Sequence, residues 1–314
     1  MSRSVPGEGE DGTFSRNWYP LCLSDEVGPG TVRGVDLLGD RVVVFRGARG
    51  GPARVLSAYC AHVGADLSVG DVVGERLRCR YHRWQYDGSG RCAATGIGDP
   101  VPPGARLLRH PSAERHGIVW AFHGDKPLYD LPTLGHPDDD LVLRHTVLDE
   151  APVDPWIVAA QTMDVQHFLL QHDFALDPAR GDPNDALTAG PYVMGYPLAF
   201  RTPDGSRLEV RVEIHGTNVF RQTGTLDGRW FCWLTALRCV RPGVSRPYFV
   251  LGVRKGDEDL LERAAGVMTG MLADDAPVLL TMRFRIGRLT RSDRTLARYL
   301  HYVRRYPRGA PATA

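Results

Sequence analysis

Two short stretches carry the residue types that bind soft metal centres. In Cys60-Ala61-His62 a thiol and an imidazole stand two positions apart, and in Cys79-Arg80-Tyr81-His82 they stand three apart, with sixteen residues between the pairs. Iron–sulfur clusters bind through thiolates. A [2Fe–2S] centre can take two thiolates on one iron and two imidazoles on the other, which raises its potential above that of an all-thiolate cluster. That chemistry needs two Cys and two His from two separate loops, and each stretch supplies one of each. Structural zinc also accepts two Cys and two His. Its fingers usually group Cys with Cys and His with His, whereas here the types alternate in both loops, which favours the cluster. Gly64 and Gly70 suit tight turns around such a centre, and Trp84 and Tyr86 can wall it from water.

A second group lies in Trp156–His172, a segment of helical composition holding Asp164, His167 and His172. Asp164 and His167, three apart, share a helix face. His172 lies about 140° round from His167 on a straight helix. Both imidazoles can meet one metal only if the helix bulges or ends near Gln171. Asp164 falls angularly between them, where it could orient one ring. Two His and one carboxylate with open positions form the facial triad of non-haem Fe(II) oxygenases. Alone, this His spacing is weak evidence; after the first two loops it gains weight.

The elements that must position these groups follow from pattern. The chain has 314 residues, enough for two domains, and its 43% hydrophobic and 24% charged content is that of a globular protein. A net charge of +1 gives no field to attract nucleic acid or a membrane surface. No apolar run reaches the ~18 residues of a membrane span, and the first residues lack the apolar core of a signal peptide, so a cytoplasmic location is expected. Besides Cys60 and Cys79, Cys22, Cys92, Cys232 and Cys239 show no paired spacing and read as buried free thiols.

Residues 1–15 are polar and Gly-rich and read as a flexible tail. Short β-runs with frequent turns over 16–125 imply a small all-β domain holding both cluster loops. Residues 126–140 are Pro-rich and read as a linker. The remainder, 141–314, shows a first strand over 141–148, recurring strand signals from Tyr192 to Val253, a long amphipathic helix over 257–275 and a final helix with Leu296, Tyr299, Leu300 and Val303 in register. The fold class expected is therefore α+β. A curved antiparallel sheet gripping a long helix would enclose an apolar cavity. Its candidate lining is Met163, Phe168, Phe220 and Trp233, with Met268, Met271 and Leu272 on the long helix. Arg78, Arg80, Arg83 and Arg91 crowd the second cluster loop and could form a docking patch for an acidic electron donor.

The stretch Cys60–Trp84 resembles the CxHxGA…CxxHxW motif of the Rieske non-haem iron oxygenases, and Asp164-x₂-His167-x₄-His172 resembles their catalytic motif. The resemblance runs from about Trp18 to Arg305 and is loosely nearest the steroid and sterol branch. It implies an N-terminal Rieske [2Fe–2S] domain followed by a helix-grip (START-like) catalytic domain. It implies Cys60, His62, Cys79 and His82 on the cluster and His167, His172 and Asp275 on a mononuclear Fe(II), with Asp274 as rival carboxylate. Asp164 matches the family's acid that bridges the two centres between subunits of a homotrimer. The family often has Glu-Asn where this chain has Ala160-Gln161; Gln161 keeps a polar group near iron. Val63 stands where the family often has Arg, and Arg83 where it often has Gly. The chain is short for the family, so appended loops or a separate small subunit are less expected.

The implied activity is that of a terminal oxygenase. It would use O₂ and electrons from NAD(P)H, delivered by a ferredoxin or flavin reductase, to hydroxylate a small apolar substrate. Monooxygenation is the primary expectation. Dioxygenation, demethylation, desaturation and oxidative cyclisation use the same iron site. The contrasting class is a Rieske electron carrier with an inert second domain.

Overall fold

The computed structural model describes residues 5–311 and divides into two compact units. One is Gly12–Leu128 with Cys239–Pro242 and the described part of Arg308–Ala314. The other is Tyr129–Arg238 with Gly243–Pro307 and the described part of Met1–Asp11.

The first unit is all β. Its strands are β1 (Phe14–Ser15), β2 (Trp18–Leu23), β3 (Val32–Leu37), β4 (Asp40–Phe45), β5 (Arg54–Ser57), β6 (Asp71–Val73), β7 (Arg76–Arg78), β8 (Gln85–Tyr86), β9 (Cys92–Ala94), β10 (Ser112–Arg115) and β11 (Ile118–Phe122). They form small sheets of order β10-β11-β2, β3-β4-β5 and β6-β7-β8-β9. β4 is rich in Val, a branched side chain that suits a pleated surface, and its Val42–Phe45 are buried. The two-residue turn between β3 and β4 places Leu38 and Gly39 at φ 56° and 79°, the left-handed pair of a tight hairpin. One core cluster joins Val43, Phe45, Leu56, Leu67, Leu77 and Tyr86 to Cys60 and Cys79, so both cysteines are rooted in the packed interior.

The second unit wraps a large sheet around helices. Its elements are β12 (Leu141–Val147), α1 (Pro155–Gln161), α2 (Val165–Leu170), β13 (Ala175–Leu176), β14 (Thr188–Ala189), β15 (Val193–Arg201), β16 (Arg207–His215), β17 (Val219–Leu226), β18 (Arg229–Arg241), β19 (Val244–Arg254), α3 (Glu258–Leu279) and α4 (Arg294–Arg305). The strand order is β12-β19-β18-β17-β16-β15-β13, with β14 also on β15. β16 alternates buried and exposed residues, as its sequence demands of a half-covered strand, whereas β18 is buried from Phe231 to Val240. Asp227-Gly228, at φ 50° and 78°, supplies the hairpin turn between β17 and β18. α3 buries Leu260, Leu261, Ala264 and Met268, and Tyr299, Leu300 and Val303 bury α4 in the same core.

Three expectations change. Residues 1–4 lie outside the described part, but 5–15 are not a loose tail. Val5 and Glu8 are buried, and the Glu8 N–H donates to Asp154 Oδ1 at 3.3 Å. The segment 156–172 is two helices, broken at Thr162–Asp164. Asp164 sits at the N-cap of α2 and accepts from the His167 N–H at 3.2 Å, the position where a short acceptor side chain satisfies a free helix N–H. Finally, α3 does not end at Asp275 but runs on through Pro277 to Leu279. Pro277 withholds one backbone N–H there.

Candidate metal centres

The two cluster loops share one backbone plan. In each, the Cys N–H donates to the carbonyl five residues on: Cys60 to Ala65 at 2.9 Å and Cys79 to Trp84 at 2.8 Å. In each, the Cys carbonyl accepts from the residue four on: Gly64 at 2.9 Å and Arg83 at 3.1 Å. That closing residue is left-handed in both loops, at φ 78° for Gly64 and 59° for Arg83. Gly70 serves differently. Its φ is ordinary, but a Cβ there would stand 2.3 Å from the Arg78 carbonyl oxygen.

These loops aim their ligands to a common point. The thiols of Cys60 and Cys79 are 4% and 1% exposed, while His62 and His82 lie at the surface with their Nδ1 atoms 3.1 Å apart. Two buried sulfurs and two facing ring nitrogens fit a [2Fe–2S] cluster with thiolates on the inner iron and imidazoles on the outer one. Trp84 stacks on His62 with ring planes 10° apart. Tyr86 is fully buried, and its hydroxyl accepts from the Ala61 N–H at 3.0 Å and stands 3.0 Å from Cys60 Sγ. A ligating thiolate can only accept, so the Tyr86 proton points to sulfur. Burial, foremost, pushes the Cys60 thiol up, and Cys79 beside it adds to this. Two such buried sulfurs carry charge together only against cations. In the proposed arginine patch, Arg78 is engaged with Asp71 (Nε–Oδ1 2.9 Å), while Arg80, Arg83 and Arg91 are exposed.

In the second unit α2 ends at Leu170, and the chain turns at Gln171 and at Asp173, whose φ is 52°. This early end swings His172 back towards His167. Their Nε2 atoms are 3.0 Å apart, and Asp275 Oδ1 is 3.2 Å from the first and 3.4 Å from the second. Asp275 Oδ1 is buried, and despite this proximity neither imidazole is aligned to hydrogen-bond it. Three ligand atoms facing one point, one of them an orphaned carboxylate oxygen, fit a mononuclear iron better than they fit one another. Burial lowers the His172 pKa, keeping the ring neutral as a ligand must be.

Asp275, with a side chain 12% exposed, meets both rings; Asp274, 52% exposed, does not. Instead Asp274 Oδ2 lies 3.3 Å from His172 Nδ1. That contact fixes which ring nitrogen faces inward. Gln171 Nε2 donates to the Asp274 carbonyl at 2.9 Å and ties the loop to α3. The Asp164 carboxyl is raised by burial.

His167 and Asp275 stand on the wall of a cavity of about 320 Å³, lined also by Gln161, Phe168, Phe220, Trp233, Met268, Met271 and Leu272. Met163 does not line it. That side chain is fully buried in the core, packed away where α1 gives way to α2. Sequence reasoning missed Gln222, Thr235, Ser245 and Phe249, all on the cavity floor. Strict alternation along β17, β18 and β19 could have found them, since Phe220 and Trp233 fix which face looks inward.

Comparison with known proteins bears on the domain that holds the first site and on the fold. Residues 17–102 match the Rieske [2Fe-2S] domain. The chain carries a Rieske [2Fe-2S] domain, and several of its relatives are named as oxygenase components. It is 37% identical over 132 residues to a probable 3-ketosteroid-9-alpha-monooxygenase oxygenase component of Rhodococcus rhodochrous, covering 40% of this chain and 33% of that protein. It is 33% identical over 136 residues to cholesterol 7-desaturase of Ciona intestinalis, covering 42% and 29%. These matches thus span about a third of the relatives' length. The fold is that of dicamba monooxygenase, at a TM-score of 0.71 and 16% identity over 92% of this chain and 96% of that one. That enzyme has also been solved with non-haem iron and dicamba. The resemblance read from the two loops therefore holds for the domain and the fold. No helix among the described residues is long and apolar enough to cross a membrane.

Proposed function

We propose that the protein is the terminal oxygenase of a multicomponent Rieske system and hydroxylates a small, largely apolar substrate. The observation that carries this reading is the His167–His172–Asp275 triad, two of whose members open onto a largely apolar cavity. When bound, the [2Fe–2S] cluster supplies single electrons, and the iron supplies a centre with open positions for O₂. The chain does the rest. Cys60, His62, Cys79 and His82 hold the cluster, with both imidazoles at the surface. His167, His172 and Asp275 leave one side of the iron site facing the cavity. Asp274 holds the His172 ring, and Phe168, Phe220, Trp233 and Met268 keep water from the reacting end.

Asp164 is the proposed link for electrons between subunits of a homotrimer, and Gln161 a polar group beside iron. A ferredoxin or flavin reductase drawing on NAD(P)H is the proposed donor, in the cytoplasm. The names of the relatives cover both hydroxylation and desaturation, and the triad serves either.

The test is iron content and turnover. Anaerobically purified protein should hold about three iron atoms per chain and, once reduced, show the low average g value of mixed Cys/His ligation. With a reductase, NADH and ¹⁸O₂, neutral apolar metabolites should yield labelled product. Two iron atoms and no substrate-dependent O₂ uptake would make the protein an electron carrier.

A further inference from the structure

Three adjacent strands make the cavity floor, and it is not uniformly apolar. Phe220 and Gln222 of β17, Trp233 and Thr235 of β18, and Ser245 and Phe249 of β19 all face the space. Gln222 pairs across the strands with Trp233, and Phe220 with Thr235, so Gln222 and Thr235 are diagonal neighbours on one face. Both are buried, at 4% and 0% exposure.

Their hydrogen-bonding capacity is unspent. The Trp233 Nε1–H donates to Thr235 Oγ1 at 2.8 Å. That occupies one lone pair of the hydroxyl and leaves its proton without an acceptor among the described residues. The Gln222 amide likewise has no partner there, although it is buried beside the same space. Ser245 Oγ, farther along the floor, is buried with no partner. Buried polar groups are rarely left so, because each unmade bond is costly. Among the described residues no Lys or Arg lines the cavity, while Asp149 and Glu150 do.

Resting on the oxygenase reading of this cavity, we propose that Thr235 and Gln222 are specificity-determining residues that donate hydrogen bonds to a neutral carbonyl oxygen on an otherwise apolar substrate. Thr235 already accepts from Trp233 and keeps its hydroxyl proton to donate, and Gln222 Nε2 supplies a second donor. An anionic oxygen is disfavoured: among the described residues no Lys or Arg lines the space to receive it, and Asp149 and Glu150 do. The carbonyl fixes one end of the molecule, and the flanking aromatic and Met side chains hold the rest, so one carbon is presented to the iron.

The test uses resting, oxidised protein and three compounds of one skeleton: 1-tetralone, tetralin and tetralin-1-carboxylate. Calorimetry should show the ketone binding about ten-fold tighter than the hydrocarbon, the value of a good hydrogen bond, and the acid weaker than both. Thr235→Val and Gln222→Leu should each erase most of the ketone's advantage over tetralin while still binding tetralin, which also shows that the variants fold. Thr235→Ser should keep the advantage. Equal binding of ketone and hydrocarbon, an advantage that survives in both variants, tightest binding by the acid, or no binding by any of the three would overturn the proposal. No electrons or O₂ enter this measurement. If the ketone preference holds and the reduced protein still makes no product, the oxygenase reading fails alone.

Discussion

The two candidate metal sites each bring two imidazoles together, but they are built in opposite ways. The cluster site is made by backbone. Two loops with the same pair of hydrogen bonds present their ligands, sulfurs inward and rings outward. The candidate iron site is made by side chains of α2, the turn after it and α3, all largely withdrawn from solvent: the His172 side chain is 1% exposed and those of His167 and Asp275 are 13% and 12%. A surface imidazole suits a centre that exchanges electrons with a partner, where contact matters and water does little harm. An enclosed triad suits a centre whose chemistry water would divert. The difference predicts that the iron site breaks through single side chains and the cluster site through its turns.

The largest effect should come from Asp275. Asp275→Ala removes the one carboxylate that meets both rings. Iron should fall from about three atoms per chain to about two, with turnover down at least ~10³-fold and the cluster's visible spectrum unchanged. Asp274→Ala should be milder. It loses only the partner of His172 Nδ1, so iron affinity should drop by about 10–100-fold, and excess iron should restore activity. If the two variants exchanged these outcomes, the ligand assignment would be wrong by one residue.

Asp164 joins the two kinds of construction, being a helix cap beside an iron ligand. Asn caps a helix as well as Asp does, so Asp164→Asn should leave the melting temperature and both metals intact. If its charge is what links the centres, turnover should still fall by about ten-fold or more, since charge-assisted hydrogen bonds are about twice as strong as neutral ones. Unchanged turnover would reduce Asp164 to a cap.

Tyr86→Phe tests the buried side of the cluster. The hydroxyl beside Cys60 Sγ stabilises the more negative, reduced cluster, so its loss should lower the potential. A hydrogen bond to a charged group contributes about 1.5–3 kcal/mol at most, and 1.4 kcal/mol is about 60 mV for one electron. A fall of several tens of mV in redox titration is expected, with no loss of iron. A potential that stays put would mean the hydroxyl does not point to sulfur.

Ligand types and spacing singled out Cys60, His62, Cys79, His82, His167 and His172, because metal chemistry restricts which residues can serve, whereas Asp275 was named only through the family resemblance. The strands were legible from the continuous valine run in β4 and from apolar alternation in β16. The break in 156–172 was not read, since Thr162-Met163-Asp164 is acceptable in a helix and only the tertiary packing makes Asp164 a cap. For the same reason Met163 looked like cavity lining and is core. The polar floor was hidden because Gln222, Thr235 and Ser245 are ordinary strand residues. Alternation puts Gln222 on the face of Phe220 and Thr235 on that of Trp233, but only the sheet register brings these strands side by side on one floor.

The smallest effect belongs to Arg83, and it bears directly on the claim that turns make the cluster site. The two loops close alike, yet one uses Gly64 and the other Arg83 at the left-handed position. For a residue with a Cβ that conformation costs about 1–2 kcal/mol. Glycine removes this strain but frees the unfolded chain, which costs about 0.4–1 kcal/mol. Arg83→Gly should therefore stabilise the protein slightly, by about 1 kcal/mol or less in denaturant unfolding, with the cluster spectrum unchanged. Arg83→Val, branched at Cβ, should destabilise it by more than that and loosen the cluster, seen as faster bleaching in air. If Val and Gly behaved alike, the loop would not depend on its left-handed turn, and the cluster site would owe its shape to its buried side chains, as the iron site does.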